Sequence, residues 1–473
     1  MENNQNKLNT IDTNNIDNDS HIEGVARGDL KLERTQDFMD LSFAGYSFII
    51  GAGIFSLMPH IIKFSKGYTW LAFIVGGFIS ILTGLSFARL NMEYPVNDAE
   101  YSWFKNIVGN KNEPEDSFRN RFSRYGANTI IWIVMILGFC GCATVAAGMK
   151  DFFLIFNKNL NQYVVSFIAL FLPLLINMIG ADLTSDINKV IMTAVTLAFV
   201  FIGGIAGKNH KFIGENNFFD HPAKADMLSI AKGAFVSIFA FNGFQSIVQM
   251  SEEAKKGEDI PKAMVSSVSV STVLYAIVAV SIVSILGLKK AGGSVNPFSE
   301  CFKVSFGNGT KFFVTALALV CMFSTMLISI FSRSRLLKKL AERKIAPKYL
   351  EKLSTLSEYV GIKNDKKKED SIFKEMPINA LLTLGIGSFL IFCFGRGFLI
   401  KLAGVSSILI FIIFSTVHTL SILNYYKKDK DKEKFKNVKS KAVKKFLGVY
   451  PFYSILGLIT TIFMLFKSKS FLN

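Results

Sequence analysis

Phe48-Ile-Ile-Gly-Ala-Gly-Ile-Phe55, with Pro59 four residues on, lies in the middle of an apolar run that extends over 38–62. Two glycines flanking an alanine at the centre of a run long enough to cross a bilayer predict a helix that unwinds halfway through. A second stretch has the same character: Phe239-Ala-Phe-Asn-Gly-Phe-Gln-Ser246 places Asn242-Gly243 inside the apolar run 233–251. Glycine is also common in membrane helices simply because it lets neighbours approach, so either stretch alone is ambiguous. Their positions in the chain carry more.

Working outward, eleven apolar windows approach the roughly 20 residues that a membrane-spanning helix needs: 38–62, 68–88, 126–149, 163–181, 190–207, 233–251, 263–288, 312–332, 376–395, 402–426 and 446–466. Asp40 and His418 are ionisable groups inside them. Half of the 473 residues are apolar and the mean hydropathy is +0.36, as expected of a polytopic α-helical membrane protein. The two interrupted windows are the first and the sixth, and each opens a set of five. Paired discontinuous helices at corresponding places of two halves point to an inverted-repeat transporter with its site near the bilayer midplane. The fold expected is therefore all-α and integral to the membrane, with a ten-helix 5+5 core over 38–426. Its first repeat is 38–207 and its second 233–426, and an eleventh helix lies in 446–473.

The formal charge of +17 would suit nucleic acid, but its placement argues against that partner. Of the 53 Lys and Arg residues, 37 fall in segments on the side of the N-terminus and 16 on the other. This is the positive-inside pattern, so the N-terminus is expected in the cytoplasm and the C-terminus outside. The plasma membrane is favoured over an internal one. Asn18-Asp-Ser20 and Asn308-Gly-Thr310 are glycosylation acceptors, and this topology leaves the first unmodified. Residues 1–37 are polar and Asn-rich, without a cleavable signal peptide, and read as a disordered cytoplasmic tail. The run 427–445 reads as a basic cytoplasmic loop, and 182–189 as a short polar connection. Within 333–375, Leu336, Leu337, Leu340 and Ile345 recur at helical spacing and predict an amphipathic helix along the inner membrane surface. Cys140 and Cys142 match no zinc or redox spacing and read as packing residues. Histidines at 21, 60, 210, 221 and 418 show no ligand spacing. No metal, cofactor or enzymatic chemistry is expected, and no pore loop suggests a channel.

The broken first helix, Phe48 to Phe55 followed by Pro59, resembles that of the amino acid-polyamine-organocation transporters, whose signature there is Gly-x-Gly-Ile/Val-Phe. Phe239 to Ser246 with Glu252-Glu253-Ala-Lys-Lys-Gly-Glu-Asp-Ile-Pro261-Lys is similar to the family's sixth helix and its exit. Asn177-Met-Ile-Gly180, Ser334-Arg335 with Ala341-Glu-Arg-Lys-Ile-Ala-Pro347, and Pro377-Ile-Asn-Ala380 resemble the ends of its fourth and eighth helices and the start of its ninth. The matches are collinear across the ten-helix core. The family's Pro-x-x-Gly-Gly-x-Tyr is here Pro95-Val-Asn-Asp98-Ala99-Glu100-Tyr101, without either glycine, and a charged insertion, 111–124, follows. One helix instead of two or more follows the tenth.

The resemblance implies an amino acid permease. A zwitterion at mid-membrane leaves a carboxylate and an ammonium to satisfy without water. A broken helix supplies both partners. N–H groups at Ala52, Gly53 and Ile54 would face the carboxylate with the positive end of a half-helix dipole, while Gly51 and Gly53 allow close approach. Carbonyls from Phe48 to Ile50 and from Phe239 to Phe241, beside Ala240, Asn242 and Gly243, would accept from the ammonium, so no charged side chain is required. The resemblance places the side-chain pocket between the third, sixth, eighth and tenth helices, with Phe239 as an aromatic gate. On composition alone, Phe239 reads equally as one of 46 packing phenylalanines. Ser324, Thr325, Ser406 and Ser407 are candidate polar contacts, although such hydroxyls often bond their own helix. Proton-coupled relatives carry a lysine in the fifth helix, where Val195 and Thr196 stand here, and an acid where Gln245 stands. The expectation is a facilitator or exchanger; the alternatives are a proton-coupled symporter or a carrier of polyamines or other organic cations. The implied partners are an amino acid substrate and the lipid bilayer, and nothing in the sequence sets an oligomeric state.

Overall fold

The chain enters its first helix at Asp37, whose carboxylate accepts the backbone N–H groups of Met39 and Asp40 while Asp40 accepts that of Asp37 at 2.9 Å. This reciprocal cap satisfies donors that no preceding helical turn can reach. Helix α1 runs Phe38–Ile49 and stops where Gly51 follows; α2 resumes at Ala52–Ser65. In the computed structural model, residues 32–157, 159–209, 227–294, 296–307, 311–361, 374–394, 396–427 and 451–472 are described. The tail up to residue 31, the basic run 428–450 and both glycosylation acceptors lie outside them.

The following helices are α3 (Thr69–Glu93), α4 (Ala99–Val108), α5 (Phe118–Phe156), α6 (Gln162–Ile179), α7 (Ala181–Asn209) and α8 (Met227–Phe241). At Asn242-Gly243 the chain breaks again, Gly243 adopting φ +122°, and continues as a 3-10 segment, Phe244–Glu253. A side chain at Gly243 would be strained by that φ and would also crowd the Phe48 carbonyl at 2.9 Å. Then come α9 (Asp259–Leu286), α10 (Leu288–Gly293), α11 (Pro297–Phe306), α12 (Lys311–Glu342), α13 (Leu356–Val360), α14 (Ile378–Cys393), α15 (Arg396–Lys427) and α16 (Phe452–Leu472). Among the described residues, nine stretches are long and apolar enough to cross a membrane, and Ile378–Cys393 and Phe452–Phe466 are two shorter apolar helices. These eleven stretches follow the eleven windows of the sequence in order, with ends shifted by several residues. The architecture is the ten-helix inverted-repeat core with its first and sixth spans broken, and α16 added.

Two segments, 182–189 and the stretch after 333, differ from expectation, and the charged insertion takes a form for which the sequence set none. Residues 182–189 are the first turns of α7, because Thr184 bonds the Gly180 carbonyl through both its N–H and its hydroxyl. The charged insertion becomes helical from Phe118, where Ser117 caps α5 through the Asn120 N–H. Leu336, Leu337 and Leu340 do not form a separate helix along the membrane surface: they belong to the last turns of α12, which runs on to Glu342, and are buried in the protein. Apolar spacing reports a face but not what covers it.

The broken helices sit at the centre. α1 and α2 pack on α9, α8 and α12, and α3 lies against α8 and α9. At one face, Gln36 pairs its backbone with the exit of the 3-10 segment, donating to Glu253 O at 3.0 Å and accepting from Lys255 N at 2.8 Å. The Arg335 guanidinium forks onto Glu253 there at 2.9 and 3.1 Å, with both side chains buried. Lys339 meets Glu252 at 2.7 Å and Arg343 meets Asp98 at 2.9 Å. We call this the basic face. α16 docks on α3 and α15 through a buried polar cluster in which His418 touches Thr83 and Ser86, and Ser454 bonds Ser86 and Ser421.

Candidate substrate cavity at the helix breaks

The two breaks lie side by side in the wall of a cavity of about 470 Å³, within the range of small-molecule sites. Its wall is built from α1 and α2 (Phe48, Gly51, Gly53), the sixth span (Phe239 to Ser246), α5 around Cys140 and Thr144, α12 (Thr325, Ser329, Arg333) and α15 (Ser406, Ile410, Phe414). Gly53 lies against the sixth span so closely that a Cβ would stand 3.5 Å from Ala240 Cα and 3.8 Å from Phe239 O. Gly51 is tighter still, since a Cβ would run into the Thr325 hydroxyl. That hydroxyl donates to Ser47 O at 2.7 Å, tying α12 to the last turn of α1.

The structure brings Gly51, Gly53, Phe239, Ala240, Asn242, Gly243 and Ser406 to the cavity. Ile50, Ile54 and Phe241 are fully buried in the core instead, and Phe241 packs on Tyr275 with ring centroids 5.2 Å apart. Ala52 supplies the first N–H of α2; N–H groups in the first turn of a helix have no partner inside it. Ser324 is buried behind the wall. It accepts from Ser47 Oγ at 3.0 Å and donates to Asn188 Oδ1 at 2.5 Å, leaving the neighbouring Thr325 to line the cavity. The helical register of α12 decides which of two adjacent hydroxyls faces inward, and apolar patterning does not fix that register.

Several carbonyls expected to be free have partners. Tyr275 on α9 donates its hydroxyl to Ile49 O at 2.8 Å and reaches Ala240 O at 3.4 Å, bridging both breaks. Gly51 N–H also bonds Ile49 O, and Asn242 N–H bonds Phe239 O. Asn242 and Gln245 form a small clasp at the sixth break: Gln245 donates to Asn242 Oδ1 at 3.0 Å and accepts from Gly243 N at 2.9 Å. Phe239 stands in an aromatic cluster, 5.2 Å from Phe235 and 5.6 Å from Phe411, and the Phe411 ring is 5.9 Å from that of Phe235.

Two charged residues stand in the wall that the sequence did not mark out, Glu100 and Arg333. Glu100 sits on α4, a ten-residue helix between two spans, whose N-cap Asp98 is held to the end of α12 by Arg343, the residue that follows that helix. It is 2 % exposed, and burial pushes its carboxyl up to about 7, against the pull of Arg333. Its only trace in the sequence was the departure at Asp98-Ala99-Glu100 from the family's glycine pair.

A family model described as amino acid permease matches residues 37–469. The chain is 24% identical over 362 residues to "Cationic amino acid transporter 1" of Arabidopsis thaliana, covering 72% of this chain and 58% of that protein. The chain thus spans little more than half the length of that relative. It is 22% identical to "Branched-chain amino acid permease BcaP" of Lactococcus lactis, covering 91% of this chain and 88% of that one. Among solved structures it is similar to Mhp1, a nucleobase-cation-symport-1 family transporter in a closed conformation, with TM-score 0.57, 10% identity and 93% of both chains covered. That likeness concerns the fold.

Proposed function

This chain belongs to the amino acid permease family, and on that premise we propose that it carries amino acids across a membrane by alternating access around the cavity at the helix breaks. The observation that carries the reading is the meeting of the two breaks. The start of α2 brings N–H groups and a positive helix end to the wall, and the sixth span brings backbone beside it. An amino acid carboxylate and ammonium can thus be met without water. The basic face lies in the cytoplasm on this reading, and the membrane is the plasma membrane.

Transport is facilitated or by exchange. Val195, Thr196 and Gln245 offer no titrating group at the positions where coupled relatives have one. Concentrating a solute tenfold costs about 1.4 kcal/mol, which a neutral substrate without a co-ion cannot draw from the membrane potential, whereas one cationic charge gains about 2.3 kcal/mol per 100 mV. The test is uptake of a panel of radiolabelled amino acids, neutral and cationic, into proteoliposomes with and without a pH gradient. Saturable uptake of amino acids that trans-substrate accelerates is expected. Strict dependence on the proton gradient would overturn the facilitator or exchanger reading, and no amino acid uptake at all would overturn the transport reading.

A further inference from the structure

Between the helix breaks and the basic face, the cavity wall carries one acid and one base that are not used up by each other. The Glu100 carboxylate is buried, and its Oε2 has no hydrogen-bond partner. Arg333 lines the same cavity, but its Nη2 donates to Ser246 Oγ at 2.7 Å. Ser246 in turn bonds Gly243 O through its N–H, so the guanidinium is braced one turn below the sixth break. A guanidinium has five N–H donors, and a carboxylate atom left bare in a buried wall is costly unless something donates to it. A ligand that fits carries an ammonium and a carboxylate on one small frame.

We propose that Glu100 and Arg333 form a second station for the amino acid head group on the basic-face side of the helix breaks, with Glu100 receiving the ammonium and Arg333 the carboxylate. This rests on the transport reading and deepens it: the substrate leaves the backbone site for a side-chain site before it reaches the basic face. Both α4 and α12 position the station. Asp98 holds α4 through Arg343, and the Asp98 carboxylate also bonds the Ser102 hydroxyl at 3.1 Å.

The station depends on pH through Glu100. The charged groups acting on Glu100 are Arg333 on α12, which favours ionisation, and Asp98 just before α4, which opposes it; Asp98 is itself paired with Arg343. The cavity-lining residues of α5 and α15 carry no charge, Cys140 being a thiol among them. Only ionised Glu100 attracts an ammonium, so affinity at this station is present above a pH of about 7 and is lost as the carboxyl takes up its proton below it.

The test measures KM separately from each face, in inside-out and right-side-out vesicles, for an amino acid the wild-type protein transports. Glu100→Gln and Arg333→Gln are each expected to raise KM at the basic face about tenfold or more, the scale of a lost charge-assisted bond. KM at the opposite face should move less than about twofold. A folding defect lowers the maximal rate from both faces and does not produce this one-sided shift. In the wild type, basic-face KM should rise as pH on that face falls from about 8 to about 6, and Glu100→Gln should remove the dependence. Wild-type transport with unshifted or equally shifted KM in both variants overturns the station while leaving the transport reading intact. So does loss of substrate-driven proton movement in Glu100→Gln without a KM change, which would make Glu100 a proton carrier. Absence of amino acid transport by the wild type removes both.

Discussion

At Gly51 a single added methyl would meet the Thr325 hydroxyl, so Gly51→Ala is expected to push α12 away from the end of α1 and to lower uptake at least tenfold, on the order of 1.4 kcal/mol. Thr325→Ala in the same chain should restore part of it by opening the space, which uptake by the single and double variants reads directly. Gly53 differs, because a Cβ there makes ordinary contact with Ala240. Gly53→Ala should therefore keep much of the uptake, while the branched side chain of Gly53→Val, facing both the cavity and the sixth span, should abolish it. Phe55 packs against Phe298 with centroids 4.7 Å apart and away from the cavity, and a change to Leu keeps the site apolar and most of its volume filled, at a cost below the roughly 3–5 kcal/mol of truncation to Ala. Phe55→Leu transporting as poorly as Gly53→Val, at equal membrane expression, would contradict this contrast. Phe239→Ala removes a ring shared with Phe235 and Phe411; weaker substrate binding and slower exchange at normal expression are expected, and unchanged uptake would make Phe239 a packing residue.

Among the elements, α12 does the most to join the basic face to the cavity. It lines the cavity through Thr325, Ser329 and Arg333, and two residues later it clamps the 3-10 segment through Arg335 and Glu253. Both charges are buried, so removing one leaves the other without water or partner, at a cost of about 3–5 kcal/mol. Arg335→Ala should lower the melting temperature of the detergent-solubilised protein sharply. Replacing both residues, Arg335→Met with Glu253→Leu, should recover most of the loss, and a double variant no more stable than the single one would show that the pair is worth more than its burial costs. The same helix shows why a surface-lying segment was expected after residue 333. Leu336, Leu337 and Leu340 have the spacing of an apolar stripe, and a stripe suits protein or lipid alike.

For the molecule as a whole, orientation is the property most open to a direct check. Lys256 is exposed beside the exit of the 3-10 segment and Lys289 is exposed on α10, at the opposite end of the 28-residue helix α9. In a Cys393→Ser background, which removes an exposed thiol, Lys289→Cys should react with a membrane-impermeant reagent on intact cells and Lys256→Cys only after permeabilisation. The reverse pattern would invert the topology. The positions of the spans, and the places where the first and sixth break, were legible in the chain itself. Length, apolarity and glycine placement are local properties, and in lipid an unsatisfied backbone confines breaks to protein-lined cavities. The family's collinear motifs were legible for the same reason. What occupies those breaks was decided only in three dimensions. Tyr275 reaches Ile49 from 226 residues away, Thr325 and not Ser324 turns inward, and Glu100 arrives in the wall because Asp98 pairs with Arg343, 245 positions along the chain. Each of these depends on helix rotation and on contacts between distant segments, and hydrophobic periodicity carries the face of a helix but not the partner that it meets.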